Sequence, residues 1–205
     1  VELKQSKVRR LWAWLRRPSA GFALGTLVLA GVAAGVFATA SFNGFVHYSN
    51  SMDFCISCHE MRDTVYQEYK NTSHFANASG VQATCADCHV PRKWLPKMER
   101  KIKATFKEIP SKIIGTVNTP EKFEAHRQRL ANNVWDGMRA NDSLECRNCH
   151  SVAAMQLARQ SPSARKQHQA AQNNGGTCID CHQGIAHKLP GANKADENAD
   201  DDYAL

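Results

Sequence analysis

Every cysteine in this chain sits in the same five-residue frame, and that repetition limits the possible folds more than any other feature. The frames are Cys55-Ile56-Ser57-Cys58-His59, Cys85-Ala86-Asp87-Cys88-His89, Cys146-Arg147-Asn148-Cys149-His150 and Cys178-Ile179-Asp180-Cys181-His182; together they use all 8 cysteines of the 205 residues. Cys-x-x-Cys-His is the attachment string for c-type haem. Its two thiols add to the two vinyl groups of one porphyrin, and the next residue then carries its imidazole to the iron. A disulfide framework gives no reason for a His after every second Cys. Two Cys₄ zinc sites would leave the same histidines idle. A thioredoxin-like pair needs one motif in a βαβ setting, not four in a helical, loop-rich chain. Four covalently bound c-type haems are expected.

Composition agrees. Hydrophobic residues make up 42% of the chain, and Gly and Pro are scarce, which argues against a disordered or collagen-like polymer. The apolar residues are unevenly spread, however. Residues 21–42 carry no charge, while Leu, Ile, Val and Phe are thin from residue 44 onward, where every cysteine lies. Porphyrins supply the missing apolar bulk, so the expected fold is mainly α with extensive loops. A soluble, conventionally packed enzyme is disfavoured.

The run GFALGTLVLAGVAAGVFATASF is long enough to span a hydrocarbon core of roughly 30 Å as a helix. Lys4, Lys7, Arg9, Arg10, Arg16 and Arg17 precede it against one acid, Glu2, and residues 43–53 carry no Lys or Arg. The positive-inside rule leaves the N-terminus in the cytoplasm and sends the remainder across the membrane. Trp12 and Trp14 on one side, with Phe45 and Tyr48 on the other, suit interfacial anchors. Ala38-Thr39-Ala40 matches a signal-peptidase site, but the apolar run exceeds the roughly 7–15 residues usual in signal peptides. An uncleaved single-pass anchor in the bacterial inner membrane is expected, with the haem domain in the periplasm.

The motifs form an internal repeat. SHFANASGVQATCADCH and QHQAAQNNGGTCIDCH each place a free His at nearly the same interval before the next Cys. The expected organisation is a basic cytoplasmic segment at 1–20, the anchor helix at 21–43, and a tetrahaem domain at 44–190. The domain divides into dihaem units at about 50–92 and 141–190 with a helical linker at 93–140; an acidic tail follows at 191–205. The motif histidines His59, His89, His150 and His182 leave His74, His168 and His187 as expected second axial ligands, since neutral imidazole suits haem iron. His126 reads as a surface residue, and His47 as a contact for lipid or a quinone headgroup. Met61, two residues after His59, reads equally as an iron ligand or as packing.

The anchor, the four frames and phrases such as CISCHEMRDTVYQEYKNTSHFANASGVQATCADCHVP, NDSLECRNCH and CHQGIAHKLP closely resemble the NapC/NirT family of membrane-anchored tetrahaem cytochromes, over about residues 9–190. The resemblance implies a quinol dehydrogenase passing electrons from membrane quinol (menaquinol or ubiquinol) to a periplasmic reductase or cytochrome in anaerobic respiration on nitrate or nitrite. It also implies Met61 as the ligand of the first haem, with His59 as the alternative. Relatives place a Lys and an acid after the second motif to bind quinol. Lys101 and Glu108 have comparable spacing here, with Glu in place of Asp, and Lys97 is a rival.

Residues 91–115 fit a site at the bilayer surface. Leu95, Met98, Ile102, Phe106, Ile109 and Ile113 recur at helical spacing, and Arg92, Lys93, Lys97, Arg100, Lys101, Lys103 and Lys107 form a basic face. Pro110 is expected to end or kink this helix. Lys97, Lys101 and Glu108 fall on one side of it. A carboxylate among cations stays charged at neutral pH and is ready to take a quinol proton. Competing functions are an electron carrier without a quinol site, a haem enzyme reducing a small nitrogen oxide at an open iron, and an anchoring subunit. The spare histidines count against the second, and no nucleic-acid partner is expected.

Overall fold

The computed structural model describes residues 7–18 and 21–191, so the acidic cluster at 196–202 lies outside the described residues. All regular elements among those residues are helical. The chain divides into two compact units, 1–47 and 48–205.

The first unit holds α1 (Lys7–Leu15) and nearly all of α2 (Leu24–Tyr48). α1 leaves Trp12 and Trp14 exposed, and the Arg16 guanidinium sits 5.2 Å from the Trp12 ring. α2 has no buried side chain and a length of about 37 Å at 1.5 Å per residue. It is the one helix among the described residues long and apolar enough to cross a membrane. It starts at Leu24 and continues through His47, past the boundary expected at 43. The polar Asn43 does not stop it, because its side-chain amide donates to the Thr39 carbonyl at 2.8 Å.

In the second unit each motif is presented by a short helical turn. α3 (Met52–Ile56), whose N-cap Ser51 accepts from the Phe54 N–H at 3.1 Å, carries Cys55, and α4 (His59–Arg62) begins on the first motif histidine. α5 (Val65–Tyr69) follows, and α6 (Cys85–His89) coincides with the second motif. Thr84 and Asp87 close a capping box on α6; Thr177 and Asp180 close the same box on the 3₁₀ turn Cys178–Asp180, so the duplication extends to the caps.

α7 (Trp94–Ile114) and α8 (Pro120–Ala140) form the linker. α7 runs past Pro110 to a left-handed C-cap at Gly115, φ 74°. Pro110 lies in the last turns, where the missing N–H costs a single hydrogen bond. α8 starts at Thr119, whose hydroxyl accepts from the Lys122 N–H at 3.3 Å, with Pro120 as first helical residue. α9 (Leu144–Arg147) bears Cys146, and α10 (Pro162–Asn174) bears His168.

Among the described residues the buried apolar side chains are Tyr69, Phe123 and Ile179. The polypeptide is a wrapping, as the thin apolar content after residue 44 requires. Polar contacts do much of the positioning. Ser143, fully buried with φ 50°, accepts at its hydroxyl from the Ile179 N–H at 3.2 Å and so ties the third motif to the fourth. Ser143→Ala leaves that buried N–H without an acceptor. The expected loss is about 1–3 kcal/mol, read by denaturant unfolding followed in the haem absorption bands.

Candidate haem-binding site

The histidines meet in twos. His74 faces His150 with ring centroids 6.2 Å apart and planes 78° apart. His89 faces His187 at 6.1 Å and 28°, and His168 faces His182 at 5.9 Å and 24°. With a metal–imidazole bond of about 2 Å, two imidazoles on opposite sides of one iron have centroids about 6 Å apart. Each pair joins one motif histidine to one of the three spare histidines, so the donor set fits c-type haem. Among the described residues no three His, Cys, Asp or Glu side chains converge on a point that would hold a bare metal ion, as zinc ligation requires. No disulfide joins any of the eight cysteines.

The surroundings of His89, His182 and His187 favour the neutral imidazole, the form that offers a lone pair to a metal. Desolvation, with help from His187 and Arg100, holds His89 down to about 4. His182 and His187 are lowered by desolvation as well. Nδ1 of His168 lies 2.7 Å from Gln160 Oε1, which fixes the tautomer with Nε2 free for a metal. The His74 carbonyl accepts from the Ala83 N–H at 3.0 Å and from the hydroxyl of buried Tyr69 at 3.2 Å. Tyr69 also donates to the Ala83 carbonyl, and its ring meets Phe75 edge-on at 5.3 Å. None of Tyr69, Gln160, Ser143 or the residues clamping the His187 loop stood out in the sequence. The one local signal was the recurrence of Thr and Asp around motifs two and four.

The motifs are also neighbours of one another. Cys55 of the first lies beside Cys85 of the second, and Cys146 of the third beside Cys178 of the fourth. Arg92 bridges the middle: it pairs with Asp87 at 3.1 Å and donates to the Asn148 carbonyl at 3.4 Å and the Cys149 sulfur at 3.5 Å.

The first motif differs. Among the described residues no second histidine ring faces His59, which is about half exposed and points Nε2 at Glu60 Oε1, 3.3 Å away. Glu60 is buried, and Met61 is half-buried on the same turn. His126 faces no other histidine; its Nδ1 lies 2.9 Å from the Lys122 carbonyl on its own helix. His47 is exposed on α2.

Beside the first motif stands α7. The Lys101 ammonium donates to the Ser49 hydroxyl at 2.7 Å and to the Ser49 carbonyl at 3.4 Å. Desolvation lowers its pKa, Cys55 opposes this, and Lys97 and Arg100 add to the lowering. Lys101 and Glu108 both lie within electrostatic reach of Cys55. Lys97 is half-buried, and exposed Glu108 pairs with Arg100 at 2.8 Å. Trp94, Leu95, Ile102, Phe106, Ile109, Ile113 and Ile114 are exposed along α7, Phe106 by 79% and Ile113 by 81%.

Four Cys-x-x-Cys-His frames, whose later histidines meet partners across a gap of haem width, define a c-type cytochrome with covalently bound haem. The model of the NapC/NirT cytochrome c family, N-terminal region, matches residues 17–192, and the chain belongs to that family. It is 53% identical over 187 residues to the cytochrome c-type protein NapC of Escherichia coli K12, covering 91% of this chain and 92% of that protein. The denitrification system component NirT of Stutzerimonas stutzeri gives the same identity and coverage. A putative tetraheme cytochrome-c type protein of Allochromatium vinosum is 51% identical over 168 residues, 82% of this chain and 88% of that one. No solved structure gives a significant match.

Proposed function

We propose that this cytochrome is a quinol dehydrogenase of the bacterial inner membrane. In this reading α2 is its anchor, its N-terminus is cytoplasmic, and its haem domain lies in the periplasm. The observation that carries the reading is Lys101. It is a partly desolvated ammonium beside the first motif, on a helix whose apolar ridge is exposed and whose other residues are strongly basic. A basic amphipathic helix of this kind seats on anionic lipid, where an apolar quinol is found.

There Lys101 donates a hydrogen bond to a quinol oxygen and stabilises the charge that develops as the proton leaves. Glu108, paired with Arg100 at 2.8 Å, accepts the proton and passes it to the periplasm. Lys97 adds positive potential at the same site and assists binding. Cysteine pairs 55/58, 85/88, 146/149 and 178/181 each hold one haem. Met61 serves the first iron, since His59 Nε2 is engaged with Glu60. His89 and His187 serve the second, His150 and His74 the third, His182 and His168 the fourth. When bound, the haems supply a row of one-electron acceptors. The contacts of Cys55 with Cys85, of Arg92 with the third motif, and of Cys146 with Cys178 keep that row continuous. The name of the Stutzerimonas relative favours a periplasmic reductase of nitrogen-oxide respiration as the final partner.

The test is anaerobic addition of a menaquinol or ubiquinol analogue to the purified holoprotein in detergent. Reduced haem bands are expected to appear without any protein partner. A protein that dithionite reduces but quinol does not is a carrier fed by another membrane protein, and that result overturns the reading.

A further inference from the structure

Arg127 lies on the face of α8 that the sequence presents as one charged stripe, EKFEAHRQRL, yet its side chain is only 9% exposed. It is held by two carboxylates. Nη2 lies 2.5 Å from Glu68 Oε1 and 2.5 Å from Glu124 Oε1, Nη1 is 3.0 Å from Glu68 Oε2, and Nε is 2.8 Å from Glu124 Oε2. The Phe123 ring covers the guanidinium at 5.0 Å. Glu68, on α5, is almost as buried, at 12%.

Burying an ion pair of this kind returns little net stability, because desolvation offsets most of the attraction; what it reliably fixes is geometry. The geometry fixed here belongs to neither helix. Glu68 Oε2 accepts from the backbone N–H of Lys188 at 3.0 Å, and Arg127 Nη1 donates to the backbone carbonyl of Lys188 at 3.3 Å. Both ends of one residue are gripped, and the residue before it is His187. That stretch, from His182 to the last described residues, has no helix or strand of its own to set its course.

We propose that Arg127 is a positioning residue: through Glu68 and the Lys188 backbone it holds the His187 imidazole opposite His89 and keeps the second haem closed to outside ligands. This rests on reading His187 as that haem's second ligand. The clamp joins α5, the linker helix α8 and the C-terminal loop. Loosening it therefore frees one distal histidine, while the pairs His74–His150 and His168–His182 keep their own supports.

The experiment uses the full-length holoprotein, with haem content checked for every variant, and follows carbon monoxide binding after dithionite reduction together with the high-spin ferric EPR signal. His187→Gly is expected to open one haem of the full complement, with added imidazole closing it again. Arg127→Met, at full haem content, is expected to raise the rate of carbon monoxide binding at that haem about tenfold or more. Arg127→Met leaves Glu68 buried and unpaired, so it is run beside Arg127→Met/Glu68→Met, which removes both buried charges and spares the fold. Opening of that haem in the double variant supports the clamp. If His187→Gly stays low-spin and closed, the ligand reading fails and the clamp with it. If His187→Gly opens while the double variant, with full haem content, stays closed, the ligand reading stands and the clamp is overturned.

Discussion

Replacing His168 by Gly should convert one haem of the full complement from low-spin to high-spin without changing the amount of haem attached. The cysteines of the fourth motif are untouched, so covalent attachment proceeds. Only the ring 5.9 Å from His182 is removed, together with its Gln160 contact. The interplanar angles make the result specific. Nearly parallel imidazoles, 24° here, give a rhombic low-spin ferric EPR signal, whereas the 78° pair His74–His150 belongs to the strongly anisotropic type. His168→Gly should therefore diminish the rhombic signal and spare the anisotropic one, and imidazole added to the solution should restore it. Loss of the anisotropic signal instead would mean that the spare histidines are distributed differently among the irons.

The second large effect is expected at Lys101. Lys101→Met keeps the length and apolar stem of the side chain and removes its charge and its bond to Ser49. Quinol should then reduce the haems at least about a hundredfold more slowly, the cost of removing one charge-stabilising donor from an oxidation site. Dithionite reduction and haem content should be unchanged, since no motif residue is altered. Lys97→Met should have the smaller effect, because Lys97 enters through its potential on Lys101. Equal losses at both positions would point to general attraction of the helix to anionic lipid in place of a contact with quinol.

What was legible in the sequence was local. The four frames, the uncharged run that became α2 and the amphipathic period of α7 are all short-range signals, and each element stands where its signal lies. The pairing of histidines was not legible. His74 meets a ring from the other half of the repeat, and His89 meets one near the end of the described chain; no periodicity encodes contacts across such separations. Arg127 was hidden for a related reason. Charged residues at helical spacing read as a solvated face until another segment covers them, and Glu68 and the Lys188 backbone arrive from far away. Pro110, expected to end or kink α7, does not end it, because it falls where little of the helix remains to be lost.

The duplicated halves trade histidines: the first half lends His74 to the third motif and receives His187 for the second. A chain exported in the order of its synthesis, with its N-terminus held in the cytoplasm, delivers Cys85–His89 well before His187. On the ligand assignment proposed above, the second centre stays half-built throughout secretion and is sealed only when the trailing segment arrives. Cutting the gene between the repeats would then yield two fragments that must find each other before either is complete.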